Sequence, residues 1–207
     1  PDSCRNVLIT ECTFDTGDDC IAIKSGKNQQ GIDVGIPCEN ITVTKCTMLG
    51  GYGAICIGSE MSGDIRNVVI RDCVLRGVGT GFNIKSRRGR GGVVENVKIS
   101  NIEMYGVNTP VAIYMNYRFN AGELIEGPAG IPTFRGITIE DLTIHGPRMG
   151  AIKGLPESPV TGLVLKNIQC EGSAVLALDH ISGLVFDNIR NGDGSVALSL
   201  ENVKLAE

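Results

Sequence analysis

One short pattern recurs along the chain and limits the fold more than any other feature. It spans Asn6–Phe14, Asn40–Met48, Asn67–Leu75 and Asn96–Met104, with further copies beginning at Gly136, Gly162 and Gly183 and a partial copy at Asn202. Successive starts lie 34, 27, 29, 40, 26 and 21 residues apart, a spacing that belongs to solenoids and stacked arrays. The repeat also assigns neighbours to any residue of interest, because equivalent positions stack.

Reading down the copies gives a core. Val7, Ile41, Val68, Val97, Ile137, Leu163 and Leu184 form one column, and Ile9, Val43, Ile70, Ile99, Ile139, Leu165 and Phe186 form another two residues on. Apolar, largely β-branched residues at period two predict strands. The alternate positions Thr10, Thr44, Arg71, Ser100, Glu140 and Lys166 are polar, as a solvated outer face requires. Helical spacing is absent.

A second strand follows in each unit. Ile21/Ile23, Ile55/Ile57, Phe82/Ile84 and Val111/Ile113 point inward, and Ala22/Lys24, Cys56/Gly58, Asn83/Lys85 and Ala112/Tyr114 point outward. At least two strands per unit, joined by Gly-rich corners, predict an all-β solenoid in which coils pair in parallel about 4.8 Å apart. Asn6, Asn40, Asn67 and Asn96 read as one ladder. With 28 glycines and few aromatics, residues 1–207 form a single elongated domain. The longest break in the repeat, Arg118 to Thr133, is a Gly- and Pro-rich surface loop at the edge of a groove.

Eight cysteines leave two readings open. Cys12, Cys46 and Cys73 share a column with Ile102, Leu142, Ile168 and Ile189, and Cys4 and Cys38 share one with Ile65, Val94 and Phe134, which fits buried thiols acting as small hydrophobes. Neighbours one coil apart also meet the Cα spacing of a disulfide. Cys56, on the outward column, is expected to be the most reactive thiol, with Cys12, Cys46 and Cys73 protected until unfolding.

Several function classes drop out. No apolar run is long enough to span a membrane, no loop cradles phosphate, and a net charge of -4 gives no nucleic-acid surface beyond the local cluster Lys85–Arg90. His145 and His180, the two histidines, have no partners at metal-ligand or triad spacing, so no metal and no cofactor are expected.

The chemistry concentrates in Phe14–Gly26, where Gly17-Asp18-Asp19 precedes a short alternating strand. Adjacent carboxylates also make ordinary turns through side-chain bonds to backbone. In register with the repeat they instead fit glycoside hydrolysis, which needs one protonated and one ionised carboxyl.

These residues resemble the polygalacturonase-like glycoside hydrolases of family 28, which are right-handed parallel β-helices that hydrolyse pectin with inversion. Gly17-Asp18-Asp19 is similar to the family's Gly-Asp-Asp motif, Pro1-Asp2 to the end of its Asn-Pro-Asp motif, and Asn83-Ile84-Lys85 to part of its Arg-Ile-Lys motif. The resemblance implies that Asp18 is the general acid and that Asp2 and Asp19 hold and deprotonate the attacking water. It implies sugar contacts from Tyr52, Asn83, Lys85 and Tyr114. Two departures stand out. Tyr52 takes the place of a family histidine, so a hydrogen-bond donor replaces a group that titrates near neutrality. Asn83 takes the place of the arginine, which removes a cation and its bidentate grip.

The expected function is therefore inverting hydrolysis of α-1,4-galacturonosyl linkages in pectin or a related pectic polymer, in a secreted or periplasmic setting implied by the resemblance. The alternatives are a Ca-dependent pectate lyase on a similar solenoid and a non-catalytic, truncated scaffold. Because the resemblance begins inside a family motif, the chain is expected to lack N-terminal coils, to leave an open first coil, and to associate with itself there.

Overall fold

The computed structural model describes residues 1–118 and 122–207; residues 119–121, inside the Arg118–Thr133 loop, lie outside the described part. The chain winds as a parallel β-helix, with its sixteen described strands in one wound sheet. Every column read from the sequence pairs as expected at its core: Val7 with Ile41, Ile41 with Val68, Val68 with Val97, and Val97 with Ile137. The second-strand register also holds, from Ile21 through Ile55, Phe82 and Val111 to Gly150 and Leu176.

Three walls, rather than two, surround the core. The strand Ile65–Arg76 bends at Asp72 and continues as a separate wall, and Val93–Tyr105 and Thr133–His145 do the same at Asn101 and Asp141. In the first two coils the bend is a full break, between Arg5–Thr10 and Thr13–Asp15 and between Cys38–Thr44 and Thr47–Gly50. Inward side chains of all three walls meet at the axis; Ile41, Val43, Ile65, Val68, Leu75 and Ile99 are fully buried. Burial of one such side chain contributes roughly 1.5–3 kcal/mol.

The corners explain the asparagines. Asn6, Asn40, Asn67 and Asn96 all hold φ between 54 and 57°, a left-handed conformation that asparagine tolerates better than other side-chain-bearing residues. Each amide donates to the next, Asn40 Nδ2 to Asn6 Oδ1 at 3.0 Å, Asn67 to Asn40 at 3.1 Å and Asn96 to Asn67 at 3.2 Å. Where the ladder ends, Gly136, Gly162 and Gly183 take the same conformation. A second left-handed corner, five residues further on, runs through Glu11, Lys45, Asp72, Asn101, Asp141, Asn167 and Asn188, with amide bonds from Asn101 to Asp72 (2.7 Å) and Asn167 to Asp141 (3.0 Å).

The cysteines serve these corners. All eight are free thiols, and Cys12, Cys46 and Cys73 each donate S–H to the carbonyl two residues back, across the left-handed residue, at 3.2, 3.3 and 3.2 Å. They fill the core column and satisfy a corner carbonyl together, which the later Ile and Leu of that column do not do. Cys46 and Cys73 are buried as expected, but Cys12, on the first coil, is exposed.

Two further expectations need correction. A seven-residue helix, Asn28–Val34, sits in the first coil's insertion and stops at Gly35 in the left-handed region; it lies outside the strand pattern, where periodicity carried no signal. The partial copy at Asn202 is also shifted: Leu198–Leu205 pairs with the strand beginning at Leu176, placing Asn202 beside His180 rather than Gly183. His145 stacks on Tyr105 at 4.2 Å and meets Glu171 at 2.6 Å, and His180 meets Asp179 at 2.7 Å, so both histidines have structural partners. Among the described residues no helix is long and apolar enough to cross a membrane.

Candidate active site

The Gly17–Asp19 turn delivers both carboxylates to one place because the next coil lies hard against it. Thr16 Oγ1 donates to the Asp18 carbonyl at 2.8 Å, Tyr52 N donates to the same carbonyl at 3.0 Å, and Cys20 N donates to Gly53 O at 2.7 Å. The two glycines flanking Tyr52 make this approach possible. A Cβ on Gly51 would stand 2.6 Å from Asp18 O, and one on Gly53 would stand 2.7 Å from Asp19 Oδ1 and 2.6 Å from Cys56 Sγ. Tyr52 itself projects into solvent, 63% exposed.

Asp18, Asp19 and Tyr52 line a groove of about 560 Å³ together with Lys24, Lys27, Gly58, Ser59, Glu60, Lys85, Arg90 and Tyr117. The structure thus brings together four of the seven residues that the sequence singled out: Asp18, Asp19, Tyr52 and Lys85. Lys85 Nζ lies 3.6 Å from Asp19 Oδ2, and 5.3 Å from the centre of the Tyr117 ring. Burial works against the Lys85 cation, but the neighbouring anion-forming groups, Cys56 and Asp19 first, outweigh it and hold its pKa above the ordinary lysine value. Asp19 Oδ1 is buried and has no hydrogen-bond partner among the described residues.

The other three are placed elsewhere. Asp2 pairs with Lys24, which lies five residues beyond Asp19, so it stands at the far end of the strand from the acids. Its carboxylate accepts from Gly26 N at 3.1 Å and Ser3 Oγ at 3.0 Å in an adjoining recess of about 340 Å³. The structure therefore does not seat Asp2 beside Asp18 and Asp19. Asn83 occupies the expected outward column but is only 2% exposed, below the groove floor, with Oδ1 unpartnered among the described residues; it offers no side-chain surface to a sugar. Tyr114 is half-buried behind the groove, its ring 6.1 Å from that of Tyr117, and burial pushes its phenol up.

Cys56 is also outward and also covered. It is fully buried beneath Asp19, Asn83 and Lys85, and burial, then the Asp19 carboxylate, push its thiol far above the usual cysteine range. The expectation that it is the most reactive thiol fails because a column on the outer face is exposed only where nothing roofs it.

Lys27, Ser59, Glu60 and Tyr117 were missed, and Arg90 was seen only as part of the basic cluster Lys85–Arg90. Each follows the Lys24, Gly58, Lys85, Tyr114 column by one to five residues, so the same stacking rule, carried past the strand ends, would have found them. The loop read as bordering a groove does so in part: Gly122–Glu126 and Lys27–Gln30 line a hollow of about 460 Å³ that meets the groove at Lys27.

Among the described residues no group of three or more His, Cys, Asp or Glu side chains is arranged to hold a metal ion. The arrangement can hold a polyhydroxylated anion. Four cations, Lys24, Lys27, Lys85 and Arg90, share the groove with three carboxylates, and the two adjacent acids stand at one end.

Comparison with known proteins bears on the family and the fold. The model of glycosyl hydrolases family 28 matches residues 1–191. A probable polygalacturonase of Vitis vinifera is 34% identical over 170 residues, covering 81% of this chain and 34% of that protein. An endo-polygalacturonase of Pectobacterium carotovorum is 27% identical over 182 residues, covering 88% of this chain and 42% of that protein. Among solved structures, a hyperthermoactive exopolygalacturonase from Thermotoga maritima superposes with a TM-score of 0.75 at 31% identity, covering 90% of this chain and 43% of that one. The chain thus spans between a third and a half of the length of these relatives. With the family model matched over residues 1–191 and the fold shared with a solved relative, the chain belongs to glycosyl hydrolases family 28.

Proposed function

We propose that the groove hydrolyses α-1,4-galacturonosyl linkages in pectin or a related pectic polymer, with inversion at the anomeric carbon. The observation that carries this reading is the adjacent pair Asp18 and Asp19 in one cation-rich groove, with Asp19 alone tied to Lys85. The two acids are thereby made unequal. Asp19, ion-paired and half-covered, is suited to work as an anion, orienting a water and taking its proton. Asp18, outside that ion pair and exposed, is free to deliver a proton.

The step balances as follows. The Asp18 carboxyl gives its proton to the glycosidic oxygen as the C1–O bond breaks, water oxygen bonds to C1 from the opposite face, and Asp19 receives the water's proton. Exchange with solvent then restores both groups. Tyr52 stands over the groove as a hydroxyl donor to the sugar, and Lys85 fixes Asp19 and offers positive charge to a uronate. Asp2 has no part in this reading. Because the substrate is a cell-wall polymer, the chain is proposed to act outside the cytoplasm, secreted or periplasmic.

Family membership sets the lyase reading aside, and the scaffold reading is tested directly. Incubation with polygalacturonate should release reducing ends without any ultraviolet-absorbing unsaturated product. Absence of new reducing ends from polygalacturonate, rhamnogalacturonan and xylogalacturonan would overturn the proposal.

A further inference from the structure

The outward column beneath the groove breaks its own pattern. It runs Ala22, Cys56, Asn83, Ala112, Ala151 and Ala177 from coil to coil, so alanine is the rule and the two exceptions are neighbours, larger and polar. They are also the covered members. Cys56 is fully buried and Asn83 is 2% exposed, whereas the four alanines are half-buried. Asp19 and Lys85, paired at 3.6 Å, lie over them.

A buried polar atom without a partner opposes folding, so each such atom in a folded protein calls for a reason. Two of them meet at this floor, Asp19 Oδ1 and Asn83 Oδ1, neither of which makes an aligned hydrogen bond among the described residues. The Cys56 thiol is within reach of both side chains. A Cβ built on Gly53 would stand 2.6 Å from Cys56 Sγ and 2.7 Å from Asp19 Oδ1, so sulfur and oxygen close on one point from neighbouring coils. The thiol hydrogen rotates about the Cβ–Sγ bond and is a weak donor, free to turn toward the carboxylate, while the Asn83 amide faces the sulfur from the next coil.

We infer that Cys56 is a positioning residue for Asp19: its S–H turns to Oδ1 from below while Lys85 holds Oδ2 from the groove side, and the two together fix the plane of the carboxylate. The inference rests on the reading of Asp19 as the group that orients the attacking water, and adds what keeps that group aimed. A carboxylate anchored at one oxygen swings about its Cβ–Cγ bond. Held at both, it offers the water a single geometry. Alanine at this position, as in the other coils, would leave a gap under Oδ1.

One arm of the test needs no turnover. The infrared difference between the unmodified chain and Cys56→Ala isolates the Cys56 S–H stretch, and the same difference taken between Asp19→Asn and the Asp19→Asn, Cys56→Ala double variant should show that band at higher frequency, because the anionic acceptor is gone. A band that does not move overturns the inference. In initial rates on polygalacturonate, Cys56→Ala should lower kcat at least tenfold with KM altered less than twofold, and Cys56→Ser, which keeps a donor in the same place, should regain most of the loss. Ile152→Val, a truncation in the buried inward column of the same wall, should lower stability and leave kcat unchanged, which separates positioning from packing. Equal falls in kcat for Cys56→Ala and Cys56→Ser, or a fall matched by Ile152→Val, would overturn the role. A band that moves in a chain releasing no reducing ends upholds the contact and refutes the hydrolase, and cleavage with an unmoved band does the reverse.

Discussion

The early and late coils share a core and differ in everything outside it. Inward positions of the second strand are equally buried at both ends, Ile23 and Ile55 early, Ile152 and Leu178 late. The outward column, by contrast, runs from Lys24 through Gly58 to Lys85 under a roof of turns, then emerges at Lys153 as an exposed side chain. Its neighbouring column carries Ala22, Cys56 and Asn83 in the early coils and Ala112, Ala151 and Ala177 in the later ones. The strands are thus interchangeable as scaffolding. The turns that precede and follow them, Thr16–Cys20, Gly51–Gly53, Ser59–Gly63 and Arg87–Gly92, make one end of the wall a site.

The largest test of that contrast is Asp18→Asn. Loss of a general acid should lower turnover on polygalacturonate by about 10²–10⁴-fold while the melting temperature stays within about 2 °C, since the side chain is exposed and the turn is held through the Asp18 carbonyl. Retained turnover would show that the turn does not supply the acid.

Gly53→Ala should come next. Its register partner Thr80 carries a side chain freely, but at Gly53 a methyl group would displace Asp19 Oδ1 and Cys56 Sγ. We expect a stability loss of about 1–3 kcal/mol and a fall in kcat larger than any change in KM, measured by chemical denaturation and initial rates.

Lys85→Met against Lys153→Met then compares one column at two heights. The first removes the partner of the half-covered Asp19 carboxylate and should cost about 1–3 kcal/mol as well as activity. The second, exposed, should fall within about 0.5 kcal/mol of the parent. Equal costs would mean that the roof is energetically irrelevant.

The smallest effect is on the acid side of the stability curve. Burial raises the Glu60 carboxyl, but the Lys24 hydrogen bond and charge outweigh it, so its folded pKa is below the ordinary glutamate value. A group so lowered stabilises the fold above its unfolded pKa of about 4.3, and that contribution disappears as the pH falls through the folded value. Lys24→Met should therefore flatten the loss of stability below about pH 4.5 by less than about 1 kcal/mol, read from thermal melts across pH.

What the sequence made legible was whatever repeats. Columns such as Val7–Ile41–Val68 and the Asn6–Asn96 ladder hold because parallel pairing forces equivalent residues together. The second corner was hidden because its left-handed residues are Glu, Lys, Asp and Asn by turns, a conformation shared without a shared residue type. At the site, Asp18 and Asp19 were visible as a motif in register. Asp2 was misplaced because a two-residue match carried no register, and the pairing of Asp2 with Lys24 supplies it. Asn83 and Cys56 were assigned the right face but the wrong exposure, since alternation reports direction and not what lies above. Arg90 was visible only as the end of the basic cluster Lys85–Arg90, and only the fold shows it lining the groove.

The central claim is that two unequal aspartates at the mouth of one strand carry out inverting hydrolysis, and the stereochemistry of the product tests it most directly. Proton NMR recorded within the first minutes of reaction on an α-linked oligogalacturonate should show the newly formed reducing end as the β anomer, drifting to the equilibrium mixture afterwards. Initial release of the α anomer, or an unsaturated end in place of a reducing one, would contradict the account.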